Sequence, residues 1–187
     1  MGELIEVRWH GRGGQGAVTA AQILAEAAFL EGYKGVQAFP YFGAERRGAP
    51  IMAFTRISDK EIRIRSQIYT PDFVVVLDST LIGLTKVDEG IRDGGTIIIN
   101  SSKKPQDLNL LGNFQVCTTD VTTVAQDLGL IVAGIPVVNT PILGAFSKIT
   151  GLVSLETLTK IIGKKWHGEI GKRNADACKL TFQTTSC

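Results

Sequence analysis

Three glycines near the start of the chain have the spacing of a phosphate-binding turn between a strand and a helix. Gly11, Gly13 and Gly16 form a G-x-G-x-x-G motif, with an apolar segment before it and a run of small and apolar residues after it. Glycines at this spacing permit a tight turn, expose bare backbone to a ligand and let the helix pack close to the strand. The first turn of that helix offers unpaired amides and a positive dipole end. The motif therefore predicts a site for an anion, such as a phosphate group.

Two segments supply the residues that we expect to contact a ligand. The glycine loop contributes Gly11, Arg12, Gly13, Gly14, Gln15 and Gly16. Residues 39–50 follow the second predicted strand and contain three aromatic residues, two glycines, and the adjacent arginines Arg46 and Arg47. Both segments should lie at the same end of a parallel sheet, where ligands of open α/β folds bind. The second segment suits a protein interface, a small-ligand contact or ordinary loop packing.

Two nucleotide-binding functions are disfavoured by residues that the chain lacks. An NAD site needs a carboxylate about 20 residues after the glycines, at the end of the second strand. That strand ends at residues 37–41 without one, and the first acidic residue is Glu45, inside the next loop. The glycine loop also lacks the Gly-Lys-Ser/Thr ending of kinases and ATPases. A tight turn that binds nothing stays open as an alternative.

The sequence shows no complete catalytic or metal-binding constellation. His10 adjoins the glycine loop without a carboxylate or cysteine partner in view, so we expect a structural role. Asp78 and Asn100 follow buried strands and are expected to cap turns or helices. The three cysteines, at positions 117, 178 and 187, have neither zinc-site nor iron–sulfur spacing. We therefore expect no catalytic residue and no metal ligand in this chain.

Composition describes a globular protein with little overall charge. The 187 residues are 44% hydrophobic and 20% charged, with a net charge of +2, which fits one domain over residues 1–187 and gives no reason to expect nucleic-acid binding. Residues 148–187 carry seven basic and three acidic side chains, so they form a solvated helix face or a docking surface for an acidic partner. The longest apolar runs, 73–77 and 96–99, are too short to cross a membrane, and we expect no secretory signal. With an odd number of cysteines, a cytoplasmic location is expected.

Hydrophobic periodicity predicts alternating strands and helices. The predicted strands cover residues 4–9, 36–41, 51–57, 62–68, 73–77, 96–99 and 113–117, with 51–57 and 62–68 forming a hairpin. The predicted helices cover residues 17–30, 78 or 79 to about 90, 121–128, 154–163 and 169–180. A further helix is predicted to start at Thr140-Pro141, with Thr140 as its cap, and Ser154 is the predicted cap of the helix at 154–163. This order predicts an α/β fold, a three-layer Rossmann-like domain with a mainly parallel sheet and an inserted hairpin.

Four segments resemble one protein family. Residues 8–16, 42–50, 71–78 and 139–145 are similar to the gamma subunit of 2-oxoacid:ferredoxin oxidoreductases, in the same order and at similar subunit length. The stretch Gly-Ala-Glu-Arg-Arg-Gly-Ala-Pro at 43–50 is similar to the pyruvate and branched-chain types. The resemblance implies a hetero-oligomer with alpha, beta and delta subunits, which interconverts pyruvate and coenzyme A with acetyl-CoA and carbon dioxide and passes electrons to ferredoxin.

The resemblance also implies a division of labour among the subunits. Thiamine diphosphate and magnesium belong to the alpha and beta subunits, and iron–sulfur clusters to beta and delta. This chain would then serve assembly and hold coenzyme A through the glycine loop, Arg46 and Arg47. Three alternatives stay open: a gamma subunit acting on branched-chain 2-oxoacids, a purely structural subunit without a ligand, and an NAD(P)-binding oxidoreductase.

Overall fold

A six-stranded sheet forms the centre of the protein. The structure is a computed structural model that describes residues 4–41 and 47–187. Its strands are β1 (Leu4–Arg12), β2 (Gly35–Pro40), β3 (Pro50–Ser58), β4 (Phe73–Val76), β5 (Thr96–Asn100) and β6 (Gln115–Thr119). The strand order is β2-β3-β1-β4-β5-β6; β1, β4, β5 and β6 are parallel, and β3 is antiparallel to β1 and β2. The predicted α/β fold with a mainly parallel sheet is confirmed.

The two faces of the sheet are covered differently. The helices are α1 (Ala17–Leu30), α2 (Val121–Asp127), α3 (Ile142–Thr150), α4 (Leu155–Lys165) and α5 (Gly168–Thr184). Apolar residues of α1, α3, α4 and α5 share one core with the sheet, around Trp9 and Phe146, whose ring centroids are 5.9 Å apart. Two 3₁₀ turns, Ser79–Gly83 and Pro105–Leu108, cover the opposite face. In the described part of the chain, no helix is long and apolar enough to span a bilayer.

The inserted hairpin exists, but with different strands from those predicted. Residues 62–68 form no strand, and β3 pairs with β1 on one side and β2 on the other. Both edges of β3 are therefore occupied, so residues 62–68 cannot pair with β3 as predicted. The Gln37 side-chain amide donates instead to the carbonyl oxygens of Ile62 and Ile64, at 3.3 and 3.2 Å. The alternating Ile and Arg residues mark a segment that runs along the β2 edge.

The helix predicted from Asp78 or Ser79 to residue 90 is also wrong. Only the 3₁₀ turn Ser79–Gly83 forms, and Asp78 caps it as expected. The buried guanidinium of Arg8 donates to the carbonyl oxygens of Val87 and Glu89, at 3.0 and 2.6 Å. These carbonyl oxygens accept hydrogen bonds from Arg8 instead of from helix amides. Local periodicity does not reveal such a tertiary contact.

The helices near the C-terminus largely match the expectation. The hydroxyl oxygen of Ser154 accepts from the backbone amide three residues on and caps α4, which continues past Gly163 to Lys165. Thr140 does not cap α3 as predicted, because its hydroxyl donates to the Asn174 side-chain oxygen on α5 at 2.5 Å. This buried hydrogen bond ties the start of α3 to the middle of α5.

The cysteines are paired in a way that their sequence spacing did not suggest. Ser186 pairs antiparallel with Thr118 at the edge of β6, which brings the last residue beside the sheet. Cys187 forms a disulfide with Cys117, and Cys178 is a buried free thiol. The number of cysteines therefore gives no support to a reducing compartment, and the cytoplasmic location stays a prediction.

Two glycines test whether helix packing or helix propensity decides stability. A Cβ at Gly144 in α3 would lie 1.9 Å from the carbonyl oxygen of Cys178 in α5, whereas a Cβ at Gly163 in α4 would meet nothing within 4 Å. We expect Gly144→Ala to lower the free energy of unfolding by about 1–3 kcal/mol or more, because the helices must separate. Gly163→Ala should raise it by up to about 1 kcal/mol. Urea unfolding of both variants checks this, and shifts of the same sign would contradict it.

Candidate functional site

The glycine turn has a backbone that only glycine adopts readily. Between β1 and α1, Gly14 has φ +98° and Gly16 has φ +80°, both in the left-handed region. Gly16 is also crowded, because a Cβ there would lie 2.4 Å from the Asn139 side-chain nitrogen. The backbone conformation and the close neighbour both require glycine at this position.

The two segments singled out in the sequence lie side by side. Gly13 N–H donates to the Ala49 carbonyl at 2.9 Å, and Gly48 N–H donates to the Gly13 carbonyl at 3.0 Å. Arg47 and Gly13 form an isolated parallel bridge. The glycine turn thus holds the segment that carries Arg47 through backbone hydrogen bonds, as expected for two segments at one end of the sheet.

A cavity of about 650 Å³ opens beside this turn. Three parts of the chain surround it: the glycine turn with Arg47, a small hairpin formed by β7 (Ile131–Val132) and β8 (Ile135–Pro136), and the first half of α5. The polar groups that line it are contributed by Gly14, Gln15, Gly16, Thr19, Arg47, Asn139, Arg173 and Asn174. Its size falls in the ordinary range of small-molecule sites.

The charge of the cavity lining is positive. Arg47 and Arg173 line it, and no Asp or Glu does so among the residues that the structure describes. The guanidinium of Arg173 also approaches the Glu169 carboxylate at 3.5 Å, but both side chains are about half exposed, so this pair is weak. The N-cap of α1, Gly16, provides no capping side chain, so the first-turn amides and the helix dipole add positive potential. The lining therefore favours an anionic ligand.

One wall of the cavity is apolar. The β7–β8 hairpin turns at Ala133 and Gly134, whose φ angles of +50° and +78° fit a type I′ turn. Ile131 and Val132 of this hairpin are 50% and 67% exposed, and the ring of Trp166 lies in the same lining. The cavity thus combines a cationic side with a wall suited to an aromatic or aliphatic group.

The structure brings together only some of the predicted ligand residues. The cavity is lined by Gly14, Gln15, Gly16 and Arg47. Gly11 lies behind the turn against Leu77, and Gly13 is engaged with the Ala49 segment. Arg12 does not line the cavity, because its side chain turns toward Asp78. Arg46 lies outside the described residues.

Sequence reasoning missed the contribution to the cavity of α5 and of Trp166, which follows α4. Trp166, Ile170 and Arg173 are more than 100 residues from the glycine loop and belong to no motif. The only sequence signal of these residues was the positive charge of residues 148–187, which is more typical of a solvated helix face than of a binding surface.

His10 has the structural role that the sequence suggested. It is buried in β1, and its Nε2 accepts a hydrogen bond from the Arg8 Nε–H at 3.0 Å. Burial, and secondarily the positive charge of Arg8, lowers the pKa of His10 to about 3. The imidazole is therefore neutral near pH 7 and serves as an acceptor for Arg8.

The polar residues after β4 and β5 hold turns in place. Asp78 accepts from the Thr80 amide, and burial alone would raise its pKa, but hydrogen bonds from Thr80, Gln15 and Arg12 outweigh burial and lower the pKa below its ordinary value. Asn100 accepts from the amide of Thr122 at 3.2 Å, at the start of α2. Asp78 thus caps its turn as expected, whereas Asn100 satisfies one first-turn amide of α2, whose N-cap is Asp120.

Comparison with known sequences decides the family. The sequence profile of the family described as "Pyruvate ferredoxin/flavodoxin oxidoreductase" matches residues 6–184. The chain belongs to this family. Among the residues that the structure describes, no cluster of three or more His, Cys, Asp and Glu side chains could hold a metal ion.

Similar proteins agree on the type of subunit. The "Pyruvate/ketoisovalerate oxidoreductases common subunit gamma" of Thermococcus litoralis is 53% identical, over 97% of each chain. The "Pyruvate synthase subunit PorC" of Methanocaldococcus jannaschii is 51% identical, over 96% of each. The crystal structure of the pyruvate oxidoreductase subunit PORC from Thermotoga maritima is 37% identical, with a TM-score of 0.85 over 99% of this chain and 98% of that one. The predicted identification as an oxidoreductase subunit of the gamma type is confirmed.

The pKa of His10 predicts how stability depends on pH. Because this pKa is about 3 in the folded chain and 6.5 ordinarily, the unfolded chain binds the additional proton between these values. Stability should therefore fall as the pH falls through this window, by up to about 1.4 kcal/mol per pH unit. His10→Gln keeps an acceptor for Arg8 but cannot titrate. Urea unfolding from pH 4 to 7 (about 0.5-unit steps) should give a flatter profile for the variant; parallel profiles would contradict this assignment.

Proposed function

We propose that this chain is the gamma subunit of a pyruvate synthase and holds coenzyme A in the cavity beside the glycine turn. The assembled enzyme interconverts pyruvate and coenzyme A with acetyl-CoA and carbon dioxide, and electrons pass to ferredoxin. The observation that supports this proposal is a cavity with a glycine turn, two arginines and an apolar wall, and with no carboxylate among its described lining residues.

The residues present fit the chemistry of coenzyme A. Its nucleotide end carries several phosphate charges, which suit Arg47, Arg173 and the first-turn amides of α1. Its adenine and pantetheine parts suit an aromatic ring and an aliphatic wall, which Trp166 and the β7–β8 hairpin supply. The chain's own residues would bind and orient the ligand, while its thiol extends toward a partner subunit.

The names of the relatives favour a role that does not depend on the oxoacid. The Thermococcus litoralis protein is called a subunit common to pyruvate and ketoisovalerate oxidoreductases. A subunit common to enzymes for two different oxoacids is suited to a task that both reactions share. Binding of coenzyme A is such a task, whereas recognition of the oxoacid carbon chain is not.

The remaining chemistry belongs to partner subunits in this proposal. Alpha, beta and delta subunits would carry thiamine diphosphate, magnesium and the iron–sulfur clusters, and thiamine diphosphate supplies carbanion stabilisation for loss of carbon dioxide. This chain, as one domain over residues 1–187 in a cytoplasmic complex, would position coenzyme A and complete the assembly.

A purely structural role is the second candidate, and exposed apolar residues favour it. Ile131, Val132 and Ile170 are 50%, 67% and 61% exposed around the cavity mouth. Exposed apolar groups near one another are typical of protein interfaces. In this alternative a partner subunit covers the mouth and no small ligand enters.

Removal of the cavity arginines separates the two candidates. We expect Arg47→Ala or Arg173→Ala in the assembled enzyme to raise the KM for coenzyme A by about tenfold, because each removes a charge-assisted contact. The KM for pyruvate and the kcat at saturating coenzyme A should stay near the wild-type values. Steady-state kinetics of acetyl-CoA formation gives all three quantities.

A matched control is Arg63→Ala, which removes an arginine that is 85% exposed and does not line the cavity. It should leave the KM for coenzyme A unchanged. If all three variants assemble and share the wild-type KM for coenzyme A, the purely structural role is correct and the proposed ligand site is wrong.

A further inference from the structure

The crevice where ligands of open α/β sheets usually bind is occupied here by side chains. It lies outside the carboxyl ends of neighbouring parallel strands, in this sheet β1 and β4. Arg12 ends β1 and Asp78 follows β4, and their side chains meet there with Nε and Oδ2 3.0 Å apart. The cavity opens instead on the other side of the glycine turn, toward α5.

Asp78 holds the Arg12 side chain, and Gln15 connects Asp78 to the backbone of the glycine loop. The Gln15 amide nitrogen donates to Asp78 Oδ2 at 3.1 Å, and the backbone N–H of Arg12 donates to the Gln15 side-chain oxygen at 2.8 Å. These bonds and the Arg12–Asp78 pair close a ring of three residues. Gln15 itself lines the cavity, so the ring also sets one wall of it.

The remaining nitrogens of Arg12 reach two other segments. Nη1 donates to the Gly48 carbonyl at 3.1 Å, and Nη2 donates to the Thr80 hydroxyl at 2.7 Å. One guanidinium thus connects the glycine turn, the turn after β4 and the segment beside Arg47. Since all three of its nitrogens have protein acceptors, Arg12 is committed to these contacts.

We infer that Arg12 and Asp78 are a positioning pair, which fixes Arg47 relative to the glycine turn and so sets the affinity of the cavity for its anionic ligand. The inference rests on the proposed coenzyme A site. It assigns Arg12 a role through Arg47 rather than direct contact with phosphate, and it gives Asp78 a role beyond capping a short turn. The pair's side chains are 27% and 19% exposed, so water screens them only in part.

The kinetic test uses the assembled enzyme with Asp78→Asn, which keeps the size of the side chain and removes its charge. We expect the KM for coenzyme A to rise by about tenfold, with the kcat at saturating coenzyme A and the KM for pyruvate near the wild-type values. Asp127→Asn, an exposed charge removal at the end of α2, is the matched control and should change none of them. The positioning role is wrong if Asp78→Asn lowers only the kcat. It is also wrong if Asp78→Asn leaves the KM for coenzyme A unchanged while Arg47→Ala raises it.

A second measurement does not depend on the ligand. Hydrogen exchange of the enzyme without coenzyme A should be faster in Asp78→Asn at the amides of Gly13 and Gly48, which join the two segments, and unchanged in α3. Unchanged exchange at both amides overturns the positioning role. A third outcome is that Asp78→Asn exchanges faster while both Asp78→Asn and Arg47→Ala keep the wild-type KM for coenzyme A. That outcome overturns the proposed ligand site, and the inference with it.

Thr80→Val is a second variant for the kinetic test, in case the enzyme with Asp78→Asn fails to assemble. Thr80 is exposed and does not line the cavity. Its hydroxyl accepts from Arg12 Nη2 at 2.7 Å and donates to Asp78 Oδ1 at 2.5 Å. We expect a smaller rise of the KM for coenzyme A, about threefold, because the variant loses a neutral hydroxyl beside the pair but keeps the charges of Arg12 and Asp78. No rise in this variant overturns the inference.

Discussion

The close approach of the chain at Gly16 is the constraint on which the rest of the site depends. Positive φ angles at Gly14 and Gly16 direct the chain from β1 into α1, and the absence of a side chain at Gly16 leaves room for Asn139. Asn139 precedes Thr140, whose hydrogen bond to Asn174 positions α5. A single tight turn thereby sets the distance between the start of α1 and the helix that forms the opposite side of the cavity.

The turn also explains why the cavity lies away from the usual crevice of an open α/β sheet. Arg12 and Asp78 fill the space between the carboxyl ends of β1 and β4. The start of α1 therefore lines a cavity together with α5 and the β7–β8 hairpin, which add a second arginine and an apolar wall. The glycine loop has the spacing of a dinucleotide-binding motif, but its cavity lies elsewhere, which agrees with the lack of a carboxylate at the end of β2.

Local sequence patterns predicted the features that depend on local contacts. The glycine motif, the Ser154 cap and the buried strand β5 each follow from neighbouring residues, and each was predicted. The predicted strand at 62–68 and the helix toward residue 90 were wrong because distant partners decide them: β2 occupies the edge of β3, and Arg8 holds the carbonyl oxygens of residues 87 and 89. The contributions of Trp166, at the end of α4, and of Arg173, on α5, likewise depend on how these two helices pack, which no motif near them encodes.

The most direct test of the central claim is to locate coenzyme A on the assembled enzyme. A coenzyme A analogue with an azido group on its adenine, activated by light, would attach to whichever chain surrounds the nucleotide end. The account predicts labelled peptides from this chain that include residues 129–137 or 166–174, with labelling suppressed by excess coenzyme A. Labelling confined to other subunits would contradict it.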